Sequence, residues 1–507
     1  MTNQTTATRD HAASERVKTG IAGLDNILGG GFTRNRMYLI EGSPGAGKTT
    51  LALEFLLQGA EEGEQGVYVT LSETKEELLG VAASHGWSLD RLSICELIPS
   101  EESLLPDAQP RMFHPSEVEL SETTKQVLDE VERIKPTRVV FDSLSEMRLL
   151  AQNPLRYRRQ ILALKHFFAG RQCTALFLDD LTAESTDIQL QSLAHGVVVL
   201  EHLAPEFGSE RRRLRVVKMR GMRYRGGYHD FKIERGGLVV FPRLVASEHS
   251  EAFARGQGGS GVPSLDELLG GGLDRGTSTL LMGPAGCGKS SLATQYAVAA
   301  AARGEPGVIF AFDESITTLL ARSEGLGMNL RAHVASGKIR VQQIDPAELS
   351  PGEFADLVCQ AVEKAGARIV VIDSLNGYLN AMPEERFLTL HLHELLMYLG
   401  QHGVVTLLVM AQHGFLGTSM QSPVDASYLA DSVVLLRYFE AKGKLSRALS
   451  VVKRRGGAHD ETLREFRLSN QGIHVGAPLE QYQGILSGIP TFLPPTDRAN
   501  RVGDERR

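Results

Sequence analysis

Short apolar runs alternate along the chain with segments whose apolar residues recur at helical spacing. In the first half, RMYLIEG leads into a glycine-rich loop, and the segment after it, TTLALEFLLQGAEEG, has the pattern of an amphipathic helix. The runs GVYVTLSE, TRVVFDSL and QCTALFLDD predict short, mostly buried strands. The second half repeats this order with TSTLLMG, GVIFAFDE, RIVVIDSL and GVVTLLVMAQH. Strands separated by helices predict an α/β fold with mainly parallel central sheets.

The alternation occurs twice because the chain contains an internal repeat. TGIAGLDNILGGGF at 19–32 recurs as SGVPSLDELLGGGL at 260–273. Lys48 aligns with Lys289 at an offset of 289 − 48 = 241 residues. Since this period is far longer than a solenoid unit, we interpret it as the tandem duplication of a whole domain.

The duplication and the length of 507 residues both predict two domains. We expect a polar linker between them because the stretch SEHSEAFARGQGGSG is polar and rich in glycine. The predicted division is a flexible N-terminal tail at 1–16, a first domain at 17–246, a linker at 247–260, a second domain at 261–485, and a C-terminal segment with a flexible tail at 486–507.

Composition narrows the classes of function. Lys and Arg number 54 against 61 Asp and Glu, a net charge of −7, so the chain lacks the global positive field typical of nucleic-acid binding. No apolar run reaches the roughly 18 residues that span a bilayer, and the N-terminus lacks the apolar region of a secretory signal. The four cysteines show no metal-binding spacing. We therefore expect a cytoplasmic protein without a membrane or nucleic-acid partner.

Two glycine-rich loops carry the main chemical signal. GSPGAGKT at 42–49 and GPAGCGKS at 283–290 both match G-x-x-x-x-G-K-[ST] between a predicted strand and a predicted helix. Such a loop turns backbone N–H groups toward a phosphate, and the helix N-terminus adds positive charge. A chance glycine-rich turn is the alternative, which two matches in register disfavour. The predicted ATP-binding residues are Gly42, Ser43, Pro44, Gly45, Ala46, Gly47, Lys48, Thr49, Thr50, Gly283, Pro284, Ala285, Gly286, Cys287, Gly288, Lys289, Ser290 and Ser291.

Oxygen ligands for Mg²⁺ are predicted beside each loop. Thr49 and Ser290 present hydroxyls, as the last residue of this motif does in nucleotide-hydrolysing enzymes. Asp142 and Asp373 end apolar strands, where a Walker B carboxylate holds Mg²⁺ through water. The alternative is that these aspartates only cap a strand end or an adjacent helix.

A second carboxylate in each half is a candidate general base. Glu73 and Glu314 follow the strand after the P-loop helix, and such a group can orient and deprotonate the attacking oxygen. The alternative is that they are acidic residues favoured at a helix N-terminus, because Thr74 and Ser315 resemble helix caps.

Paired cations recur near the end of each half. Lys218 and Arg220 lie two residues apart on a predicted strand, as do Lys453 and Arg455, so each pair points to one side. We predict that these cations bind ATP phosphates of a neighbouring subunit. The alternatives are an ordinary solvated strand face and, for the basic segment 211–225, a strip that binds nucleic acid.

Together, the paired LDxxLGGG openings, P-loops, Walker B strands and KxRG strands resemble the KaiC family of RecA-like ATPases over about residues 17–490. The resemblance implies two tandem RecA-like P-loop domains that assemble as a homohexamer of two rings, with ATP between the subunits. It implies that the N-terminal ring is a slow ATPase, and that the C-terminal ring is an autokinase and autophosphatase acting on Ser and Thr beside the neighbouring subunit's ATP.

The resemblance also assigns catalytic residues, with one departure in each half. In the family a second Glu, the principal catalytic one, precedes Glu73 and Glu314; here these positions hold Ser72 and Asp313. Asp313 can act as a base, whereas Ser72 cannot. The predicted catalytic residues are therefore Asp313 and Glu314 in the second half and Glu73 alone in the first, where we expect reduced turnover.

The segment 420–438 resembles the family's phosphorylated region. The paired acceptor positions fall on Ser427 and Tyr428, and an auxiliary one on Ser422, so we predict Ser427 as the phosphoacceptor and an altered dual cycle. The segment 483–491 resembles the one that controls the kinase. The resemblance implies a KaiB-like protein as partner. The short charged tail that follows residues 483–491 does not favour a site for a KaiA-like activator.

The sequence thus predicts a KaiC-like hexameric ATPase with Ser/Thr autokinase activity, ATP and Mg²⁺ as cofactors, and a role as a signalling or clock-type regulator. Two alternatives stay open. One is a scaffold or signalling hexamer that uses ATP mainly for assembly. The other is a DNA-dependent ATPase of the RecA or RadA type, which the net charge and the doubled domain disfavour.

Overall fold

A computed structural model gives the positions of most of the chain. Its described residues form two compact units that divide between Arg243 and Leu244. Leu244 and Ala246, which precede the predicted linker, are buried in the core of the second unit. The described ranges are 15–97, 115–151, 153–180, 188–205, 208–249, 251–380, 388–412, 427–441, 443–486 and 490–492.

The first unit is built on a nine-stranded sheet. The strands of this unit are β1 (Arg16–Val17), β2 (Phe32–Thr33), β3 (Met37–Gly42), β4 (Gly66–Thr70), β5 (Ser93–Glu96), β6 (Arg138–Asp142), β7 (Thr174–Asp180), β8 (Gly196–Leu203), β9 (Arg211–Met219), β10 (His229–Glu234) and β11 (Gly237–Phe241). The large sheet has the order β11-β10-β9-β8-β3-β7-β6-β4-β5, and β1 pairs with β2 separately. The six strands from β8 to β5 are parallel, and β9, β10 and β11 extend the sheet in antiparallel pairs.

Helices cover both faces of this sheet. Leu51 and Phe55 of the helix after the P-loop are buried in one hydrophobic cluster, and Ile161 and Leu164 are buried in the cluster on the opposite face. The helices are α1 (Ala22–Ile27), α2 (Lys48–Glu61), α3 (Lys75–His85), α4 (Pro115–Ile134), α5 (Leu144–Ala151), α6 (Pro154–Gly170) and α7 (Ile188–Leu193). This arrangement explains why the predicted strands are apolar throughout rather than alternating.

The second unit repeats the same topology. It begins with a 3₁₀ turn at Ala246–Glu248, and its nine-stranded sheet has the order β16-β15-β17-β18-β14-β19-β20-β21-β22. Its strands are β12 (Gln257–Gly258), β13 (Leu273–Asp274), β14 (Ser278–Gly283), β15 (Gly307–Ala311), β16 (Ile339–Gln343), β17 (Ile369–Asp373), β18 (Val405–Ala411), β19 (Ser432–Ala441), β20 (Lys444–Arg454), β21 (Arg464–Ser469), β22 (Gly472–Pro478), β23 (Tyr482–Gln483) and β24 (Thr491–Phe492). Its helices are α8 (Pro263–Leu268), α9 (Lys289–Ala302), α10 (Ile316–Gly325), α11 (Leu330–Ala335), α12 (Pro351–Glu363), α13 (Leu375–Asn380) and α14 (Leu388–Gln401).

The predicted fold class is confirmed: each unit is α/β with a mainly parallel central sheet. The carboxyl ends of β3, β4, β6 and β7 meet at one edge of the first sheet, as do those of β14, β15, β17 and β18 in the second. Ligands of such sheets bind at this edge. None of the helices in the described ranges has the length and hydropathy needed to cross a bilayer.

Candidate nucleotide sites

The first P-loop joins β3 to α2 at the carboxyl edge of its sheet. Gly47 directly precedes α2 and has a φ of 98°, in the left-handed region that favours glycine. The turn therefore delivers the first N–H groups of α2 to the space above the loop, where an anion would bind. The predicted phosphate-binding residues Gly42 to Thr50 are contiguous along this turn.

Lys48 lies across this loop rather than pointing to solvent. Its Nζ donates hydrogen bonds to the carbonyls of Gly42 at 2.9 Å and Ser43 at 3.2 Å. It also forms an ion pair with Asp180 at the end of β7, with an Nζ–Oδ1 distance of 2.7 Å. Sequence reasoning did not select Asp180, although its place at the end of the strand beside β3 was a usable signal.

Asp142 ends β6 at the same edge and is buried. The Tyr68 hydroxyl donates a hydrogen bond to Asp142 Oδ2 at 2.5 Å, and the Tyr68 hydroxyl also bonds to Thr49. Burial raises the pKa of Asp142 above its ordinary value, while Tyr68 and Lys48 lower it. The two predicted Mg²⁺ ligands of this site, Thr49 and Asp142, therefore lie on either side of one tyrosine hydroxyl.

Glu73 follows β4 and faces these groups. Burial, then the charges of Asp142 and Glu77, raise the pKa of Glu73 to about 7. Within the described part of the chain, no group donates a hydrogen bond to its buried Oε2. The helix-cap alternative applies instead to the next residue, because Thr74 forms a capping box with Glu77 at the start of α3. Glu73 is thus not the helix cap, and its buried Oε2 accepts no hydrogen bond from the described residues around the P-loop.

The second P-loop joins β14 to α9 with the same geometry. Gly288 has a φ of 109° immediately before α9. Lys289 Nζ donates to the carbonyls of Gly283 at 2.9 Å and Pro284 at 2.8 Å, and burial lowers the pKa of Lys289. The predicted residues Gly283 to Ser291 are contiguous here, and the loop opens onto a cavity of about 630 Å³.

The predicted carboxylates of the second site line this cavity. Asp373 at the end of β17 bonds to the Ser290 hydroxyl, and burial raises the pKa of Asp373. Asp313 accepts a hydrogen bond from the Ser374 hydroxyl. The acidic residues at 313, 314 and 373 are therefore together at the P-loop, as the sequence predicts.

Arg322 in α10 is a residue of this site that sequence reasoning missed. It donates two hydrogen bonds to the Glu314 carboxylate, at 3.2 Å from Nε and 2.7 Å from Nη2. A third, from Nη1 to Ser291 Oγ at 2.9 Å, ties this pair to α9. The available signal was a cation eight residues after Glu314, in the helix that begins at Ile316.

Either site provides oxygen atoms that suit Mg²⁺. Ser290 and Asp373 are within hydrogen-bond reach of each other, and hydroxyl and carboxylate oxygens are the ligands this ion takes alongside phosphate oxygens. In the first site Thr49 and Asp142 are instead connected through the Tyr68 hydroxyl, to which both bond. In the described ranges, no group of three or more His, Cys, Asp or Glu side chains is arranged to hold a metal by itself. The residues therefore fit an ion that arrives with a nucleotide.

The predicted cation pairs do not lie at the P-loop of their own unit. The N–H of Arg220 donates to the carbonyl of His195 at 3.0 Å, and the N–H of His195 donates to that of Met37 at 2.8 Å. Arg220 is therefore level with the start of β3. Gly42 is five residues further along that strand, about 17 Å away at 3.3 Å per residue. Lys218 and Arg220 contact the carbonyls of Gln191 and Ser192 instead.

The second pair contacts the segment that contains Ser427. Lys453 Nζ donates to the carbonyls of Ser427 and Ala430, both at 2.8 Å. Arg455 Nη2 donates to the carbonyl of Tyr428 at 2.9 Å. Ser427 is partly buried and Tyr428 is exposed. The auxiliary position, Ser422, lies outside the described residues.

Comparisons with known proteins agree with this geometry. The family model described as "ATPase: KaiC" matches residues 17–245 and 258–480. The circadian clock protein KaiC3 of Synechocystis sp. is 27% identical over 504 residues, which cover 97% of this chain and 98% of that protein. The circadian clock oscillator protein KaiC of Synechococcus elongatus is 26% identical over 492 residues, with coverages of 96% and 93%. With one P-loop site in each matched region, the chain belongs to the KaiC family of ATPases.

Proposed function

We propose that this chain is a hexameric ATPase that hydrolyses Mg-ATP at subunit interfaces in two rings. We further propose that the C-terminal ring transfers phosphate to Ser427 and that the protein acts as a signalling or clock-type regulator. The clock role is taken from the names of the relatives.

The observation that carries the proposal is the separation of Arg220 and Arg455 from their own P-loops. The N–H of Arg455 donates to the carbonyl of Asp431, and the N–H of Asp431 donates to that of Ser278. Arg455 is therefore level with Ser278, which lies five residues before Gly283 along β14. An arginine side chain is too short to cover the resulting distance of about 17 Å. Neither arginine therefore contacts a triphosphate at the P-loop of its own unit. This leaves each available for a triphosphate bound to a second chain, as in ring ATPases that insert an arginine into a neighbouring site.

The contacts of Lys453 support phosphate transfer to Ser427. Because Lys453 and Arg455 bind the carbonyls of residues 427, 428 and 430, the acceptor residue lies beside the cations that would meet the neighbouring chain's phosphates. In the proposed step the Ser427 oxygen forms a bond to the γ-phosphorus while the bond to the bridging β,γ-oxygen breaks. ADP leaves, and the hydroxyl proton passes to Asp313 of the chain that holds the ATP.

In the first ring the same displacement uses water as the nucleophile. Glu73 receives the proton, since Ser72 cannot act as a base. Lys48 and the N–H groups of α2 hold the phosphates, and when bound Mg²⁺ supplies positive charge that offsets the negative charge developing on the transferred phosphoryl group. Phosphate and ADP are the products.

A second candidate function is a scaffold hexamer with weak chemistry in the first ring. One observation favours it: the ion pair of Asp180 with Lys48, which occupies the ammonium group that would otherwise bind the terminal phosphates. In that case ATP would mainly hold the ring together, because a ligand that binds only the assembled state stabilises it by mass action.

The test is incubation of the full chain with Mg-ATP, followed by native mass spectrometry and phosphopeptide mapping. We expect a hexamer with two nucleotides per chain and phosphate on Ser427. Asp313→Asn should abolish the phosphate while leaving assembly intact, and Ser427→Ala should abolish it while leaving hydrolysis intact. Absence of any phosphorylated residue at 420–432 would refute the kinase and leave the ATPase. A monomer in saturating Mg-ATP would refute the hexamer.

A further inference from the structure

The first P-loop site contains a buried tyrosine hydroxyl that sequence reasoning did not select. Tyr68 lies in the middle of β4, and its ring is fully buried in the cluster that contains Leu51 and Phe55 of α2. Tyr68 pairs with Val140 on β6, and Asp142 is two residues further along that strand, on the same face of the sheet. The Tyr68 hydroxyl therefore lies at the carboxyl edge of the sheet, beside the P-loop.

This hydroxyl contacts both of the groups that we expect to hold Mg²⁺ in the first site. It donates a hydrogen bond to Asp142 Oδ2 at 2.5 Å, and it also bonds to the side chain of Thr49. A phenol has a single proton, which here goes to the carboxylate, so the Thr49 hydroxyl is the donor in the second bond. Both candidate ligands are therefore already engaged with one protein group.

The second unit has an apolar residue at the equivalent position. Ile309 stands at the repeat offset of 241 residues, in the middle of β15, and is buried in the second core. The Ser290 hydroxyl there bonds directly to Asp373. An arriving ion thus meets a hydroxyl and a carboxylate that contact each other in the second site, whereas a third group lies between the two in the first.

A hydrogen bond to a buried carboxylate opposes the binding of a cation to the same oxygen atoms. Mg²⁺ takes its oxygen ligands in a strict octahedral arrangement and gives up its own water reluctantly. Charge-assisted hydrogen bonds are among the stronger ones in proteins, and Asp142 is buried, so water can do little to replace the bond from Tyr68. The ion must therefore displace or redirect this bond, which it need not do in the second site.

We propose that the Tyr68 hydroxyl competes with Mg²⁺ at the first site, so that nucleotide binding there depends less on the metal than at the second site. Tyr68 is then a positioning residue, because it acts through Thr49 and Asp142. Such competition rests on the proposed function only in requiring Mg-ATP at both P-loops, and it needs neither a hexamer nor hydrolysis. When the metal is held less tightly, Lys48 and the first N–H groups of α2 carry more of the interaction with the phosphates.

The first measurement compares the affinities of the two nucleotide-loaded sites for Mn²⁺, a paramagnetic substitute for Mg²⁺. The full chain carries Lys289→Ala to isolate the first site or Lys48→Ala to isolate the second. ADP is supplied at one molecule per site, and electron paramagnetic resonance measures the free Mn²⁺. We expect the first site to bind Mn²⁺ at least ten-fold more weakly than the second. Equal affinities, or tighter binding at the first site, would overturn the proposal.

The second measurement assigns the difference to the hydroxyl. Tyr68→Phe keeps the ring in the core and removes only the oxygen, so the first site should bind Mn²⁺ about ten-fold more tightly, while its affinity for ADP without metal stays the same. Tyr38→Phe is the matched control. Tyr38 is also fully buried, but its hydroxyl bonds to the backbone of Thr33, and Tyr38 lies four residues before Gly42 on β3. This change should lower the melting temperature without altering the affinity for Mn²⁺.

The outcomes separate this role of Tyr68 from the proposed function. If ADP binds but Tyr68→Phe leaves the affinity for Mn²⁺ unchanged or lowers it, Tyr68 does not compete with the metal. A similar rise in both tyrosine variants would mean a general loosening of the core and would equally overturn the proposal. If the first site binds no ADP, the proposed nucleotide site is itself wrong and the role of Tyr68 falls with it. Should Tyr68→Phe fail to fold, the comparison of the two isolated sites decides.

Discussion

The two P-loop sites share a backbone but differ in how their carboxylates are neutralised. In the first site Lys48 pairs with Asp180, Tyr68 bonds to Asp142, and Glu73 has no hydrogen-bond donor at its buried oxygen among the described residues. In the second site Ala411 occupies the position of Asp180, and Arg322 holds Glu314. The counterpart of Arg322 at the repeat offset is Val81.

The duplication has thus preserved the phosphate-binding loop more strictly than the charges around it. The loop depends on glycine conformations and on the helix N-terminus, which any nucleotide phosphate requires. The surrounding charges set how tightly the nucleotide binds and which group accepts a proton. We therefore expect the first site to bind ATP more weakly and to depend on a single carboxylate.

The largest effect should come from removing either P-loop lysine. Lys48→Ala and Lys289→Ala each delete a buried ammonium group that would bind the terminal phosphates. Each change should weaken nucleotide binding at its own site about 100-fold, or about 3 kcal/mol. Calorimetric titration should then show one tight site per chain in each single variant and none in the double variant. A single variant that loses both sites would show that the units do not bind independently.

The next effect distinguishes the two candidate bases. With Lys289→Ala in place, so that only the first site is active, Glu73→Gln should lower phosphate release by about 10² or more, since general bases contribute 10²–10⁴. With Lys48→Ala in place, Glu314→Gln should cost much less, because Asp313 accepts the proton and Glu314 is occupied by Arg322. Steady-state phosphate release measures both. Equal losses from the two changes would contradict the inequivalence of the sites.

Exchange of the residue beside the P-loop lysine should change affinity in opposite directions. Asp180→Ala removes the carboxylate that competes with phosphate for Lys48, so ATP should bind the first site about ten-fold more tightly, equivalent to about 1.4 kcal/mol. Ala411→Asp should weaken the second site by a similar factor. A fluorescent ATP analogue can report both in single-site backgrounds. If neither exchange alters affinity, the ion pair has no influence on nucleotide binding.

The smallest effect concerns stability. Burial raises the pKa of Glu54 in α2 to about 7, from an ordinary value of 4.5. The folded state therefore holds this proton more tightly than the unfolded state does. The resulting stability is complete below pH 4.5 and is lost as the pH rises through 7. Glu54→Gln should raise the melting temperature of the first unit at pH 8 by about 2–4 °C.

The same change should have little effect at pH 5, because Glu54 is largely protonated in the folded state there and is then uncharged like the glutamine that replaces it. The amide keeps an acceptor for the N–H of Leu238, which donates to Glu54 at 3.0 Å. The second unit already has the amide, because Gln295 is the residue at the repeat offset. Differential scanning calorimetry at the two pH values makes the comparison. Equal stabilisation at both would rule out titration of Glu54 as the cause.

The fold and the P-loops could be predicted because their signals are local. Apolar runs between helical segments give the parallel strands, and the spacing of Gly42, Gly47 and Lys48 defines the loop without knowledge of any distant residue. The antiparallel strands that extend each sheet to nine strands were harder to predict from the sequence. The basic strand β9 does not show the continuous apolar pattern of the parallel strands, because it belongs to the antiparallel extension.

The residues that distinguish the two sites could not be predicted because their partners come from separate parts of the chain. Asp180 reaches Lys48 only because β7 lies beside β3, and the sequence does not state that order. The contact between Arg322 and Glu314 could not be predicted because it depends on the direction in which α10 runs after Glu314. The halves also cannot be compared by a single offset, because it is 241 residues between Lys48 and Lys289 and 231 residues between Asp142 and Asp373.

The opposite positions of P-loop and arginine in each sheet constrain how copies can associate. If the arginine edge of one chain completes the P-loop edge of another, the contact joins two unlike surfaces, and repeating this contact around a closed ring leaves neither edge exposed. A chain with Lys289→Ala and a chain with Arg455→Ala, each inactive in the second ring alone, would then regain activity on mixing, at the junctions where an intact loop meets an intact arginine.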